Sequence, residues 1–374
     1  MARRVPGGTI GLGHIGGNFR GAATLRPADC RPWGGRVRLA LVLGAGLALL
    51  VVAAGPMVLA PANPDSHIAA LSSPAPGNWS RQNTTPTPPG RDYSAMAYDA
   101  KDGYLLMFGG YGHGGRILGD TWKYAAGKWT KLAPLHSPAA TANAQMAYDA
   151  ADGYVVLFGG RPASTGGSPL NDTWTFSGGN WTRLHGIAPP GRENGMMTYD
   201  AADGYVLLFG GVGRASLNDT WEFAAGVWTN LTKPKAPPAT NLQAMAYDPT
   251  DGYVVLFRDA VAGNNWTFSG GNWTQIHVKG YPAPHGFGIE GPGLAFDAAR
   301  GYLVLFGGFF STSNYNFTWA YSHGVWSKLN LSVAPSHRTG FVMAYDPASL
   351  ELVLFGGCLW GSYGSPNAQT WAYS

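Results

Sequence analysis

Apolar and polar positions along this chain recur with a period near fifty residues. A short alternating stretch ends six times in a matching tetrapeptide: Met96-Ala97-Tyr98-Asp99, Met146 to Asp149, Met197 to Asp200, Met245 to Asp248, Leu294 to Asp297 and Met343 to Asp346. The aspartates step by 50, 51, 48, 49 and 49 residues. In the first unit, alternation over Tyr93 to Tyr98 predicts a half-buried strand, and the apolar run Tyr104 to Phe108 predicts a second strand buried on both faces. Asp102-Gly103 between them supplies the positive φ angles expected of a tight hairpin. Gly109-Gly110 then marks a close backbone approach. After a variable stretch, Asp120 to Tyr124 reads as a third strand, Ala126-Gly127 as a second hairpin and Lys128 to Leu132 as an outer strand.

A repeat of this length, built from four short strands, is the unit of a β-propeller. Six units predict an all-β, six-bladed ring over residues 78–374. The sixth unit stops at Ser374, one strand short. Gly77-Asn78-Trp79-Ser80 copies the outer-strand sequence Gly179-Asn180-Trp181-Thr182, so the N-terminal segment is expected to complete the last blade. That interlock removes the free sheet edges that an open array would expose.

Upstream of the repeats the pattern changes. Residues 39–60 carry no charge, and twenty-two helical residues would cover roughly 33 Å, enough for a bilayer core. Seven arginines and one acid precede residue 39, which predicts a cytoplasmic N-terminus and an exported repeat region. The expected organisation is a disordered segment 1–36, a transmembrane signal anchor 37–60, a Pro/Ala/Ser-rich linker 61–77 and the propeller 78–374. Cleavage near Ala60 or Ala62 is the alternative, giving a secreted ring. Without the arginine-rich segment the chain has 18 basic and 20 acidic groups, so its body offers no net basic face to a nucleic acid. Cys30 and Cys358 flank the apolar run, which argues against a disulfide between them.

The Phe108-Gly109-Gly110 and Phe158-Gly159-Gly160 runs, with Trp122 and Trp174 following them, resemble the kelch repeat. Arg91, Arg192 and Arg338, each eight residues before its aspartate, are similar to the arginine that often opens a kelch first strand. The fourth unit departs, with Phe257-Arg258-Asp259 in place of Phe-Gly-Gly. The resemblance implies the propeller fold and leaves function open, because kelch propellers host enzymes and binding proteins alike.

Propeller geometry puts the long second-to-third loops (111–119, 161–170, 212–218, 258–264, 309–316 and 358–368) on one face, the default place for a site. Candidate ligand contacts are Arg91, Arg192 and Arg338 near the channel, and His113, Arg161, Arg214, Trp360 and Tyr363 in the loops. The arginines either ring an anion or sugar hydroxyl, or hydrogen-bond inter-blade carbonyls. Copper radical oxidases share the kelch propeller, but nothing around Cys358, the only exported cysteine, completes their ligand set. Histidines lack ligand spacing, and no metal or cofactor is expected. Glu193, Glu290 and His285 are the suspects for an epimerase-like reaction.

Ten Asn-x-Ser/Thr sequons follow the apolar run: Asn78, Asn83, Asn171, Asn180, Asn218, Asn230, Asn265, Asn272, Asn316 and Asn330. They read as N-glycosylation sites of a surface protein, or as turn solutions repeated with the blade. The expectation is a plasma-membrane-tethered propeller that binds a surface protein or glycan. A carbohydrate-active enzyme, epimerase- or oxidase-like, and a passive envelope scaffold are the alternatives.

Overall fold

The computed structural model describes residues 76–164, 167–239, 243–258, 265–280, 282, 291–310, 313–358 and 365–374. Six four-stranded antiparallel sheets account for almost all of the regular structure. Blade 1 runs from Ala95–Asp99 to Lys128–Leu132, blade 2 from Gln145–Asp149 to Asn180–Leu184, and blade 3 from Met196–Asp200 to Val227–Asn230. Blade 4 runs from Ala244–Asp248 to Asn272–Ile276 and blade 5 from Gly293–Asp297 to Val325–Leu329. Blade 6 takes three strands from Val342–Asp346 to Thr370–Tyr373 and its fourth from Trp79–Gln82. The closing strand pairs Trp79 with Tyr373 and Gln82 with Thr370. The first strands of neighbouring blades meet around the central channel.

Second strands are buried on both faces, because each blade packs between two others. Every seam holds the same aromatic pair: an outer-strand tryptophan against the phenylalanine that ends a second strand in the preceding blade. Ring centroids lie 5.4 Å apart for Phe108–Trp181, 5.0 Å for Phe158–Trp228, 4.9 Å for Phe209–Trp273 and 5.4 Å for Phe257–Trp326. Trp79–Phe306 at 5.1 Å and Trp129–Phe355 at 5.0 Å complete the circle. The closing strand therefore brings the aromatic anchor of its seam as well as backbone hydrogen bonds.

One expectation about turns needs correction. Asp102 does not adopt positive φ; only Gly103 does, at 74°. Asp99 organises that turn instead, its Oδ1 accepting the N–H groups of Lys101 and Asp102. The aspartate before glycine serves the neighbouring strand: Asp102, Asp152, Asp203 and Asp251 each accept the hydroxyl of the tyrosine two residues on. The two-residue hairpin with both φ values positive lies between the third and fourth strands, as at Ala126 (47°) and Gly127 (75°).

Among the described residues no helix is long and apolar enough to cross a membrane. The anchor expected at 37–60, the segment 1–36 and linker residues 61–75 lie outside them.

Candidate functional site

The channel-opening arginines are sealed inside the ring, with Arg91 and Arg192 at 0% exposure and Arg338 at 1%. Arg91 donates to the carbonyls of Pro89 and Gly109 and, through both terminal nitrogens, to Asp120. Arg192 repeats this with Pro190, Gly210 and Asp219. Arg338 keeps the carbonyl contacts, to Ser336 and Gly356, but meets the neutral Gln369. Burial, with a smaller contribution from Arg81, pushes its pKa down to about 10. These guanidinium groups brace their own blades and present no N–H to a ligand. Their hydrogen bonds run to carbonyls, as one of the two sequence readings has it, and for Arg91 and Arg192 also to an aspartate.

Asp120 and Asp219 are held below the ordinary carboxylate range. Burial alone would raise them, but the hydrogen bonds and charge of Arg91 and Arg192 outweigh it. Each also accepts the indole N–H of the tryptophan two residues on, Trp122 or Trp221. Arginine, aspartate and tryptophan thus form one unit, its arginine fully buried and its aspartate partly exposed, at the start of the third strand.

Before its first strand each described blade has a lead-in segment on the long-loop face. Tyr93 (φ 49°), Asn143 (57°), Asn194 (54°), Gly291 (63°) and Gly340 (68°) occupy one repeated position and share the left-handed conformation. Their backbones join across blades: Asn194 N–H donates to Asn143 O, Asn143 N–H to Tyr93 O, and Tyr93 N–H to Gly340 O. A side chain at Gly340 would strike the Tyr93 ring, with Cβ 2.9 Å from its nearest carbon. This arc frames a cavity of about 130 Å³ at the channel mouth. Below it, a cavity of about 200 Å³ is lined from all six blades, among others by Met96, Met146, Met197, Met245, Leu294 and Met343.

Lead-in segments also hold the loops down. Asp92 bridges Tyr111, Thr141–Ala142 pairs with Arg161–Pro162, Glu193 bridges Val212 and Thr339 bridges Cys358. A polar cluster follows across blades 1 to 3. Arg161 pairs with the nearly buried Glu193, whose Oε2 also accepts Asn143 Nδ2 at 3.0 Å. Asn143 Nδ2 lies 3.4 Å from the Tyr111 hydroxyl. Burial raises Tyr111, and the Glu193 carboxylate adds to it. Cys358 is buried and outside any disulfide; burial and then Asp92 push its thiol up.

His113 sits exposed on the tip of the first loop, and Arg214 is exposed on the third. Arg161, paired with Glu193, stands on the second loop. Trp360, Tyr363, Glu290 and His285 lie outside the described residues. Among the described residues, no group of three or more His, Cys, Asp or Glu side chains could hold a metal. Eight sequon asparagines (Asn78, Asn83, Asn171, Asn218, Asn230, Asn272, Asn316 and Asn330) are exposed and Asn180 is half-buried. Asn265 is 1% exposed within a third strand, so no transferase reaches it in the folded ring.

The KLHDC2/KLHL20/DRC7 Kelch-repeats domain family matches residues 61–257, more than half of the chain. This chain is a kelch-repeat propeller. The match ends at Phe257, where the fourth kelch unit trades its glycines for Arg258-Asp259. No curated protein matches the chain.

Sequence reasoning missed the residues that shape the channel mouth of this kelch ring. It sought charges, whereas Tyr93, Asn143 and Asn194 share a backbone conformation and not a side-chain type. Their signal was positional: each stands three residues before the repeat's methionine.

Proposed function

We propose that this kelch propeller is a protein-interaction scaffold that binds its partner on the long-loop face. The observation that carries the reading is the pairing of loops with lead-in segments in blades 1, 2, 3 and 6. Loops so tied form a preorganised platform, which lowers the ordering cost of association. Exposed His113, Arg161 and Arg214 stand on that platform and supply its accessible polar contacts.

The finer reading places this scaffold at the plasma membrane, tethered through residues 37–60, with the ring outside, a surface protein or glycan as ligand and some sequons occupied. Its support is the uncharged run 39–60 behind an arginine-rich flank. Protease protection in intact cells tests the orientation: a protected ring rejects it. Intact mass before and after deglycosylation tests the sequons.

Binding of the full chain to arrayed surface proteins and glycans tests the interaction face. His113→Ala with Arg214→Ala is expected to weaken capture while leaving the melting temperature nearly unchanged, since both side chains are exposed. Capture unchanged by both substitutions rejects the loop face as the docking site. Turnover of a sugar at stoichiometric enzyme levels rejects the scaffold reading.

A further inference from the structure

The ten sequons fall into three structural groups, and one of them leaves both halves of the motif open. A sequon is read through its asparagine amide and through the hydroxyl two residues on. In the third strands those hydroxyls belong to the seams. Thr173, Thr220 and Thr318 are 4%, 0% and 2% exposed, and they accept the indole N–H groups of Trp228, Trp273 and Trp79 at 2.9, 2.9 and 3.0 Å. Asn171, Asn218 and Asn316 are themselves exposed, yet the group that completes each motif is locked inside the ring. Asn265 is buried outright.

In the outer strands the obstacle is different. The residue between asparagine and hydroxyl is a buried seam tryptophan: Trp79, Trp181 or Trp273. The asparagines also clasp the preceding blade. Asn78 Nδ2 donates to Ser332 Oγ at 2.8 Å, Asn180 Oδ1 accepts Leu135 N–H at 2.8 Å, and Asn272 Oδ1 accepts Lys233 Nζ at 2.9 Å. Seating Asn78, Asn180 or Asn272 in a transferase would draw its tryptophan out of the seam, and a large buried aromatic opposes that.

The third group lies at the carboxyl ends of the outer strands Trp79–Gln82, Val227–Asn230 and Val325–Leu329, on the perimeter of the ring. Asn83, Asn230 and Asn330 are exposed, and so are Thr85, Thr232 and Ser332, which complete their motifs. Asn230 uses its Oδ1 to accept the Thr232 N–H at 2.8 Å, which leaves Nδ2 open and holds acceptor and hydroxyl residue in one turn. The Thr232 and Ser332 hydroxyls accept bonds from Thr220 N–H and Asn78 Nδ2, but on the surface and not beneath a tryptophan.

Resting on the exported-ring reading, we propose that Asn230 and Asn330 are the N-glycan acceptors of the folded protein. Asn83 is a slower third, because Pro86 restricts the backbone of Thr85. In the transfer, Nδ2 attacks C1 of a polyprenyl-diphosphate-linked oligosaccharide. The N–C1 bond forms as the C1–O bond to the diphosphate breaks, the amide gives up one proton, and the lipid diphosphate leaves. The sugars then stand on the perimeter of the ring, away from the channel mouth.

The purified full chain, folded and in parallel digested to peptides, would be incubated with an oligosaccharyltransferase and that donor, and occupancy read by mass mapping of glycopeptides. The folded chain is expected to gain one oligosaccharide at Asn230 and one at Asn330, each lost in Asn230→Gln or Asn330→Gln, and none at Asn171, Asn218 or Asn316. Peptides carrying those three sequons are expected to accept sugar, which assigns the selectivity to the fold. A glycan at Asn171, Asn218 or Asn316 of the folded chain overturns the proposal, and so does a folded chain left unmodified at Asn230 or Asn330. A chain isolated from its own cells without any glycan, yet modified in the assay, rejects export and leaves the site assignment standing.

Discussion

Two seams of the same ring are built differently. Between blades 1 and 2, Gly110 N–H donates to Thr141 O across the seam and Trp181 Nε1 donates to Thr121 Oγ1 at 3.0 Å. The tryptophan bond recurs at Trp228–Thr173, Trp273–Thr220, Trp79–Thr318 and Trp129–Thr370. Between blades 4 and 5 it is missing. Asn265 stands where the other blades have threonine, and both its amide atoms are buried without a partner, as is Trp326 Nε1. The double glycine that donates across the seam elsewhere is here Arg258-Asp259. This seam is fastened at its outer rim instead: Trp326 N–H donates to Lys279 O, Lys279 N–H to Gly324 O, and His323 Nδ1 lies 2.5 Å from Asp251 Oδ1. The aromatic pair Phe257–Trp326 persists at 5.4 Å. Packing at a seam is therefore separable from its polar stitch, and one seam has kept the first while relocating the second.

The largest effects come from removing the packing. Trp181→Ala is expected to cost about 3–5 kcal/mol, the range for a buried aromatic truncated to alanine. Trp326→Ala should cost about 1 kcal/mol less, since no buried hydrogen bond is lost with it. Urea melts of both variants decide this; equal losses would mean that the Thr121 bond adds nothing. Arg192→Ala is expected to cost about 3–5 kcal/mol because it removes a fully buried side chain and leaves Asp219, only 18% exposed, without its cation. In blade 2, which lacks the buried arginine, Asp172 pairs with the half-exposed Arg183, and Arg183→Ala should cost less than about 1 kcal/mol. A small loss for Arg192→Ala would sink the bracing role given to these arginines.

Repair is smaller than removal. Asn265→Thr restores the acceptor that five other seams use, removes two unpaired buried amide atoms and should stabilise the ring by about 1 kcal/mol. The same change deletes a sequon that lies within the strand. A lower melting point for Asn265→Thr would show that the outer-rim contacts hold blades 4 and 5 in a geometry that excludes the threonine bond.

The ring was legible because its determinants are repeated side chains: the aspartate at the first turn, the glycine pair, the Thr-Trp dipeptide and the N-terminal Gly-Asn-Trp copy. Each answers a local geometry that recurs around the ring, so identity and conformation repeat together except in blade 4, where Arg258-Asp259 and Asn265 stand in for the glycine pair and the threonine. The first hairpin was misread because Asp-Gly has two explanations in sequence, a turn conformation or a tyrosine acceptor, and only the folded geometry separates them. Arg91, Arg192 and Arg338 were visible as a set. Whether they faced the channel or the blade depended on Asp120, Asp219 and Gln369, whose distance of nearly thirty residues or more gave no hint of pairing. The channel mouth was least legible, because a left-handed residue can be Tyr, Asn or Gly and the side chains therefore do not repeat.

The smallest effect distinguishes the two regions by pH. Asp219, beside Arg192 in blade 3, sits below its ordinary 3.8, because hydrogen bonds and charge from the arginine exceed the cost of burial. Asp248, at the first turn of blade 4, is raised above 3.8 by burial, only partly offset by backbone N–H groups beginning with Thr250. Linkage gives these groups opposite signs. Stabilisation by Asp219 is complete above 3.8 and is lost as pH falls through its lower folded value. For Asp248 the favourable contribution is complete below 3.8 and is lost as pH rises through its higher folded value. Stability of Asp219→Asn relative to the parent should therefore recover as the medium is acidified below 3.8. Stability of Asp248→Asn relative to the parent should improve as pH rises above it. Chemical denaturation between about pH 3 and 6, spanning the usual carboxylate range, reads both slopes, and slopes of the same sign would show that Arg192 does not hold Asp219 as an ion pair.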